Sequence, residues 1–528
     1  MDRPPAEPVM RRTQHRSEDR TRAADRSARP TVLAIGIDAA EPVLVRRLID
    51  RGELPALARL LRDGAWRAIE APAAIGSGAV WPTFFTGSRP LDHGVHSYWT
   101  WNPATMRLAD YDDRRLTPFW QQLAHAGVSV GVLDVPFAPF LGLTDGFEVS
   151  EWGSHDLVHG RTRVSPATLR DLVVTTVPPH PFMSGHEHVD SIADTRGRAA
   201  LHDACIRGAR ARGTLAARLL DATKPTLALL VFGEAHRAGH HLWHTVEPHD
   251  GLYARAHFGE GADPDLAAVY REIDRQIGRL VEQAGPDATT IVFSLHGMRP
   301  ARGVATLLEP FLRELGFAHL TGVEQRGWSR PHSFLAAARH GAPPGARRIY
   351  RRLFSHAARH RWRTPKTLPR YDWSRTRAFA LPTDQHGWIR LNLRGREVAG
   401  IVPAGDYQRT CDTLEAALRG LRASDGRRTV RDILRPQPDA ASASTSGLPD
   451  LVVHWDTAAL EDGPQREADV RTTPPTATQL TGQHAFDGFC IVRSPSPIAR
   501  TDAPIAAEDL HRLMIDVATP ADDPRPPH

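Results

Sequence analysis

Cysteine is scarce in this chain: three in 528 residues, Cys205, Cys411 and Cys490, far apart and odd in number. They build neither a disulfide framework nor a thiolate zinc motif, so a reducing compartment, cytoplasmic by default, is the expectation. No apolar run approaches the roughly 18–20 residues that a bilayer-spanning helix needs. Residues 1–29 are rich in Arg, Asp and Ser and lack the apolar stretch of a secretory signal. With little to bury, they read as a disordered tail. A strong excess of one charge is also missing. The 66 basic and 61 acidic residues leave a net +5, a mixed surface that by itself gives no evidence for nucleic acid as a partner. No internal repeat is visible.

What is present is enough apolar residue, 41%, for a sizeable interior, in a chain too long for one simple core. TVLAIGI (31–37), VSVGVLD (128–134), LALLVFG (227–233) and TTIVFSL (289–295) are continuous apolar runs of the kind buried on both faces of a parallel sheet. Helical patterns separate them, at about Pro42–Arg62, 198–220 and 264–283. WIRLNL (388–393) and LPDLVVHW (448–455) read as further strands, 406–422 as an amphipathic helix, and 436–447 as a low-complexity loop. The alternation predicts an α/β fold, a mainly parallel sheet with helices on both faces. The expected division is a tail (1–29), the first part of the core (30–319), an inserted Arg/His-rich, mostly helical segment (320–385), the completion of the core (386–519) and a C-terminal tail (520–528). The basic run in 320–385 reads first as a solvated helical face.

In such sheets the working residues gather just beyond the carboxyl ends of the strands. EAHRAGHHLWH (234–244) follows the third strand, and its His236 and His240 are spaced to share one helical face and one metal ion. In a chain with 27 histidines the pair alone is a loose pattern. Company gives it weight: Asp38 ends the first strand, His296 follows the fourth, and TGQH (481–484) places His484 in a Gly-containing turn. Singly, each is explained as a capping Asp or a loop His. IGSGAVWPTFFTG (75–87) sets Ser77 between two glycines before an apolar helical run, where a hydroxyl and free N–H groups favour an anion. An N-cap accounts for the serine but not for a glycine on each side.

The ordered set resembles the alkaline phosphatase superfamily, and within it the type I phosphodiesterase/nucleotide pyrophosphatase-like hydrolases. The likeness rests on Asp38 after the first strand, Ser77 nine residues before the Thr-Gly of FFTG, RPLDHGV, the paired histidines, SLHG and TGQH, in order from about residue 31 to 495. The resemblance implies an alkaline-phosphatase-like sandwich and one or two divalent metal ions, with zinc or a late transition metal favoured by His-rich ligation. By position, one ion falls on His236, His240 and His484. The other falls on Asp38, Ser77, Leu295 and His296. His236 stands where the family has Asp, and Leu295 stands where an S-D-H-G motif would supply one. Leu binds no metal, so Glu234 is the candidate to supply the missing oxygen, with a role as a helix N-terminal acid as its plainer explanation.

The implied reaction is hydrolysis of a small anionic phosphate ester, monoester or diester. Ser77 would be the nucleophile, and a covalent phospho-seryl intermediate would follow. A sulfatase is disfavoured because GSGAVW lacks the Pro and Arg of the sulfatase motif, and a phosphomutase is less favoured still. The rival from another class is a binding protein, with one metal or none, on a degraded enzyme fold. His241 and His244 have no counterpart in the family pattern and are expected at the surface or on the substrate side.

Overall fold

A computed structural model describes residues 31–154, 161–182, 195–247, 265–301, 307–321, 368–383, 386–423, 425–456, 480–495 and 503–519. The expected tails and most of the expected insertion, 322–367, lie outside the described residues. Among them a nine-stranded sheet forms the frame. Its five central strands, Thr289–Ser294, Val32–Ile37, Leu227–Phe232, Val130–Leu133 and Gly146–Ser150, run parallel in that order. Asp487–Arg493 adds antiparallel to Thr289–Ser294 and pairs on its other side with Ala65–Glu70. The four apolar runs of the sequence are therefore the four innermost parallel strands.

Their burial explains their composition. Leu33, Ile35 and Ile37 enter one apolar cluster and Val32 and Ala34 the other, so a single strand feeds both faces of the sheet. The helices Thr195–Thr223 and Leu266–Ala284 contribute to the first cluster. The short helix Val80–Thr86 and the helix Ala507–Ala518 contribute to the second. A separate four-stranded antiparallel sheet, ordered Ala378–Leu381, Gly387–Leu391, Leu451–Trp455, Val430–Leu434, has its own apolar core. No helix of the described residues is long and apolar enough to cross a membrane.

Three local readings change. The helix expected over Pro42–Arg62 is two helices, Pro42–Asp50 and Pro55–Asp63. Gly52 takes a left-handed φ of 74° between them, and Pro55 opens the second with its preset φ. The expected loop 436–447 holds a short helix, Ala440–Thr445, because the Asp439 side chain caps it by accepting from Ser442 N at 2.8 Å. Ala378–Leu381, inside the stretch read as mostly helical, is a strand, held antiparallel to Gly387–Leu391.

Candidate functional site

The carboxyl ends of the three central parallel strands deliver Asp38, Gly233–Glu234 and Leu295–His296 side by side. Ala39, just after Asp38, holds a left-handed φ of 56°, a conformation that a non-glycine residue adopts only when its surroundings enforce it. Ser294 supplies one of those constraints. Its hydroxyl accepts from Ala40 N (2.9 Å) and donates to His296 O (2.8 Å), stitching the Asp38 turn to the His296 turn.

Helix Glu234–Leu242 then presents His236 and His240 on one face, with ring centroids 4.9 Å apart. His484 joins them from a short strand, Gly482–His484, which pairs antiparallel with Met298–Pro300. Gly482 is required by the close approach of that strand to the helix: a Cβ there would lie 2.2 Å from Gly239 O. Thr481 N donates to His240 O at 2.7 Å and closes the contact.

His236, His240 and His484 form the group of described residues that could hold a metal ion, and all three are buried. His236 Nε2 lies 3.0 Å from His240 Nε2 and 2.8 Å from His484 Nε2. The other ring nitrogens decide what those short distances mean. His236 Nδ1 faces Asp38 Oδ2 at 2.6 Å, and His240 Nδ1 faces the Gly482 carbonyl at 2.9 Å. A carboxylate and a carbonyl only accept, so each Nδ1 carries a hydrogen, and each ring, when neutral, turns its Nε2 lone pair inward. Facing lone pairs need a proton or a cation between them. A proton can bridge one pair of nitrogens, whereas three nitrogens converge here. A divalent cation fits the donor set, and the Asp38 carboxylate and Gly482 carbonyl orient the rings as outer partners commonly do around metal-bound histidines.

Asp38 is further committed by Trp81, whose indole N–H donates to Oδ1 at 2.9 Å. Burial works against its charge, but the neighbouring His236 and His296 and the hydrogen bonds hold its pKa well below the ordinary carboxylate range. His296 is buried and its Nε2 lies 3.8 Å from Asp38 Oδ1. Burial lowers its pKa to about 4 despite Asp38. Leu295 is 1% exposed within the apolar cluster that contains Trp81 and Phe293.

Glu234, expected as an oxygen donor to a metal, is engaged through one carboxylate oxygen by Arg212 and His180. Two helical residues apart, Glu234 and His236 do not share a face. Its Oε1 accepts from Arg212 Nε at 3.0 Å and His180 Nε2 at 2.9 Å. Burial raises its pKa, but Arg212 and His180 together outweigh that and bring it to about 2. Arg212 also donates to Asp134 Oδ2 (2.7 Å), and Asp134 accepts from Trp152 N and Gly153 N. The network anchors the start of the helix that carries His236 and His240. His241 and His244 are both buried, which removes the surface placement, one of the two expected for them.

Ser77 is half-buried and opens a 3-10 turn, Ser77–Ala79, that runs directly into Val80–Thr86, the helix carrying Trp81. The flanking glycines have a steric cause. A Cβ at Gly76 would lie 2.3 Å from His96 O, and one at Gly78 would lie 2.7 Å from Ser97 Cα. The backbone of residues 96–97 passes so close that no side chain fits on either side of the serine.

Sequence reasoning missed Trp81, His180, Arg212 and Asp134. Asp134 ended a legible strand and was the one with a signal. Arg212 was hidden in an Ala/Arg-rich helix whose other arginines give it no distinction.

A protein-family model described as type I phosphodiesterase / nucleotide pyrophosphatase matches residues 32–459. No curated protein sequence matches. Among solved structures, phosphonoacetate hydrolase from Sinorhizobium meliloti in complex with phosphonoformate is 14% identical, with a TM-score of 0.51 over 93% of this chain and 96% of that one. The same enzyme in complex with phosphonoacetate is 15% identical over the same shares, also at 0.51. Human ectonucleotide pyrophosphatase / phosphodiesterase 5 is 11% identical over 94% of this chain and 96% of that one, with a TM-score of 0.45.

Proposed function

Because the chain belongs to the type I phosphodiesterase / nucleotide pyrophosphatase family of the alkaline phosphatase superfamily, phosphoric ester hydrolases, we propose that it cleaves a small anionic phosphate ester with Ser77 as nucleophile and one divalent cation, zinc by donor type. The carrying observation is the convergence of three Nε2 atoms at His236, His240 and His484, with the Nδ1 hydrogens of the first two already given away. A three-imidazole set suits zinc better than magnesium or calcium, which prefer oxygen.

The cation, when bound, supplies the positive charge that offsets the ester's oxygens and eases ionisation of a hydroxyl. The remaining work falls to the chain. Asp38 holds the His236 ring in its tautomer and orientation, and Gly482 does the same for His240. The Ser77 oxygen attacks phosphorus as its proton leaves to solvent. The bond to the ester's leaving oxygen breaks, and that oxygen departs with the bonding pair and takes up a proton. Water then attacks the phospho-seryl phosphorus, releasing phosphate or a phosphate monoester and restoring the hydroxyl.

One ion is favoured over two by specific observations. At the second expected position Leu295 is packed into apolar surroundings, and Asp38 already accepts from Trp81 and His236. Two divalent ions against a single carboxylate would repel with little to offset them.

Metal analysis of protein purified without chelator should find about one equivalent of a divalent metal, the stoichiometry of a single three-histidine site whose fourth position stays open. His240→Ala and His484→Ala should each lose it. Ser77→Ala should keep the metal but lose turnover of p-nitrophenyl phosphate and its bis ester by at least about a thousandfold, the scale expected for loss of a nucleophile. A metal-free protein, or equal rates for wild type and Ser77→Ala, would sink the proposal.

A further inference from the structure

Three consecutive carbonyls lead up to Ser77, and the small sheet binds every one of them. His386 Nε2 donates to Ala73 O at 2.8 Å, His454 Nε2 donates to Ala74 O at 2.6 Å, and Trp388 Nε1 donates to Ile75 O at 2.8 Å. Trp388 and His454 lie on two neighbouring strands, Gly387–Leu391 and Leu451–Trp455, and His386 immediately precedes the first; their register sets Gly387 opposite Val453 and so brings His386 beside His454. Their ring centroids are 5.2 Å apart.

The receiving segment needs such partners. Pro72–Ala74 is a single 3-10 turn in which Pro72 O takes the N–H groups of both Ile75 and Gly76. A turn that short spends its local bonds on its first carbonyl, and the next three depend on donors from outside. Trp388 also closes over the next residue, since a Cβ at Gly76 would lie 2.9 Å from its Cζ2, and its ring meets His96 edge-on at 4.8 Å.

The ring chemistry suits the task. Burial, with Arg299 and Arg431 nearby, brings His386 down to about 3, and burial likewise lowers His454. Both rings are therefore neutral near pH 7 and offer a directed N–H without burying a charge. The two guanidinium groups are themselves held on the Phe486 ring, each about 5.0 Å from its centroid, two residues beyond His484.

We propose that His386, Trp388 and His454 act as positioning residues: a clamp from the small sheet that sets the peptide planes of residues 73–76 and thereby aims the Ser77 hydroxyl. The inference rests on Ser77 being the nucleophile. Without three separate anchors, rotation about any of the bonds from Ala73 to Gly76 would swing Ser77. A displacement of the order of 1 Å can cost about a hundredfold in rate. The four-stranded sheet then has a part in the reaction without touching the substrate.

The test uses the full chain, metal-loaded, on bis-p-nitrophenyl phosphate and p-nitrophenyl phosphate. Trp388→Phe keeps an aromatic ring, smaller than the indole, and removes the N–H. His454→Leu removes a donor, and His454→Gln restores an amide N–H. The expected result is a kcat lowered about ten- to a hundredfold in Trp388→Phe and His454→Leu, scaled by that displacement cost. KM, metal content and thermal midpoint should stay near wild type, and His454→Gln should recover most of the rate. Wild-type kcat in both donor-deleted variants overturns the clamp. So does a loss of rate that follows loss of metal or of folded protein, or that His454→Gln fails to rescue. Ser77→Ala measured alongside separates the two ideas: if it is inactive while the clamp variants are at full rate, the clamp alone fails. If Ser77→Ala is active, the nucleophile assignment fails and takes the clamp with it.

Discussion

At the scale of single residues, Asp38 is the group on which most depends. One carboxylate oxygen fixes His236 and the other accepts from Trp81, so its charge, size and direction are all in use. Asp38→Asn should keep the fold but weaken metal binding about 10–100-fold, because an amide no longer dictates the His236 tautomer. Competition with a chromogenic chelator measures this, and unchanged affinity would show that the carboxylate is not an orienting partner. Part of this residue-level picture was legible in the sequence. Asp38, His236, His240, His296 and His484 were all singled out, and each sits where a strand end or an i, i+4 pair puts it. Trp81 was not, because an indole inside an apolar helix looks like core, and its N–H acquires a role only where the helix crosses the first strand.

At the scale of elements, the Glu234–Leu242 helix is fixed at its beginning by charge and at its end by backbone. Glu234, Arg212 and Asp134 form a buried alternation of signs, and Thr481 N holds His240 O. Glu234→Gln leaves Arg212 with one carboxylate in place of two in a buried site, and should cost about 3 kcal/mol in urea unfolding. It should also change the acid limb. With its pKa brought from 4.5 to about 2 in the folded state, Glu234 picks up its proton first when unfolded. The stability it contributes is complete above about pH 4.5 and is lost as pH falls toward about 2. Acid unfolding followed by circular dichroism should therefore be less steep in Glu234→Gln over that window, and an unchanged slope would remove Glu234 from the network's electrostatics.

At the scale of the whole molecule, buried histidines make the fold sensitive to mild acid. Burial, with Arg390 and His93 adding to it, lowers His96 to about 3, and burial lowers His93 to about 4. For a histidine whose folded pKa is depressed, the unfolded chain binds the proton first. Stability is full above about pH 6.5 and declines as pH falls, by about 1.4 kcal/mol per pH unit for each such group. Thermal midpoints should thus drop between pH 6.5 and 5, and His96→Gln should flatten that drop. An equal pH slope in wild type and variant would contradict the assignment. His96 also contacts Trp388 across the junction between the two sheets, so acid weakens the same region that supports Ser77.

The sequence by itself determined the parallel core, the order of the strands' apolar runs, and the histidines and aspartate collected at their ends. Those features are local: a continuous apolar run needs two covered faces, and a four-residue spacing shares a helical face wherever the helix lies. Tertiary structure alone decided that Glu234 would bind Arg212, that Leu295 would be core, and that the glycines beside Ser77 exist for the chain passing at His96 and Ser97. It alone brought Trp388 and His386 to carbonyls 313 residues away. Such contacts depend on where two distant segments meet, and no local pattern records a partner that far along the chain.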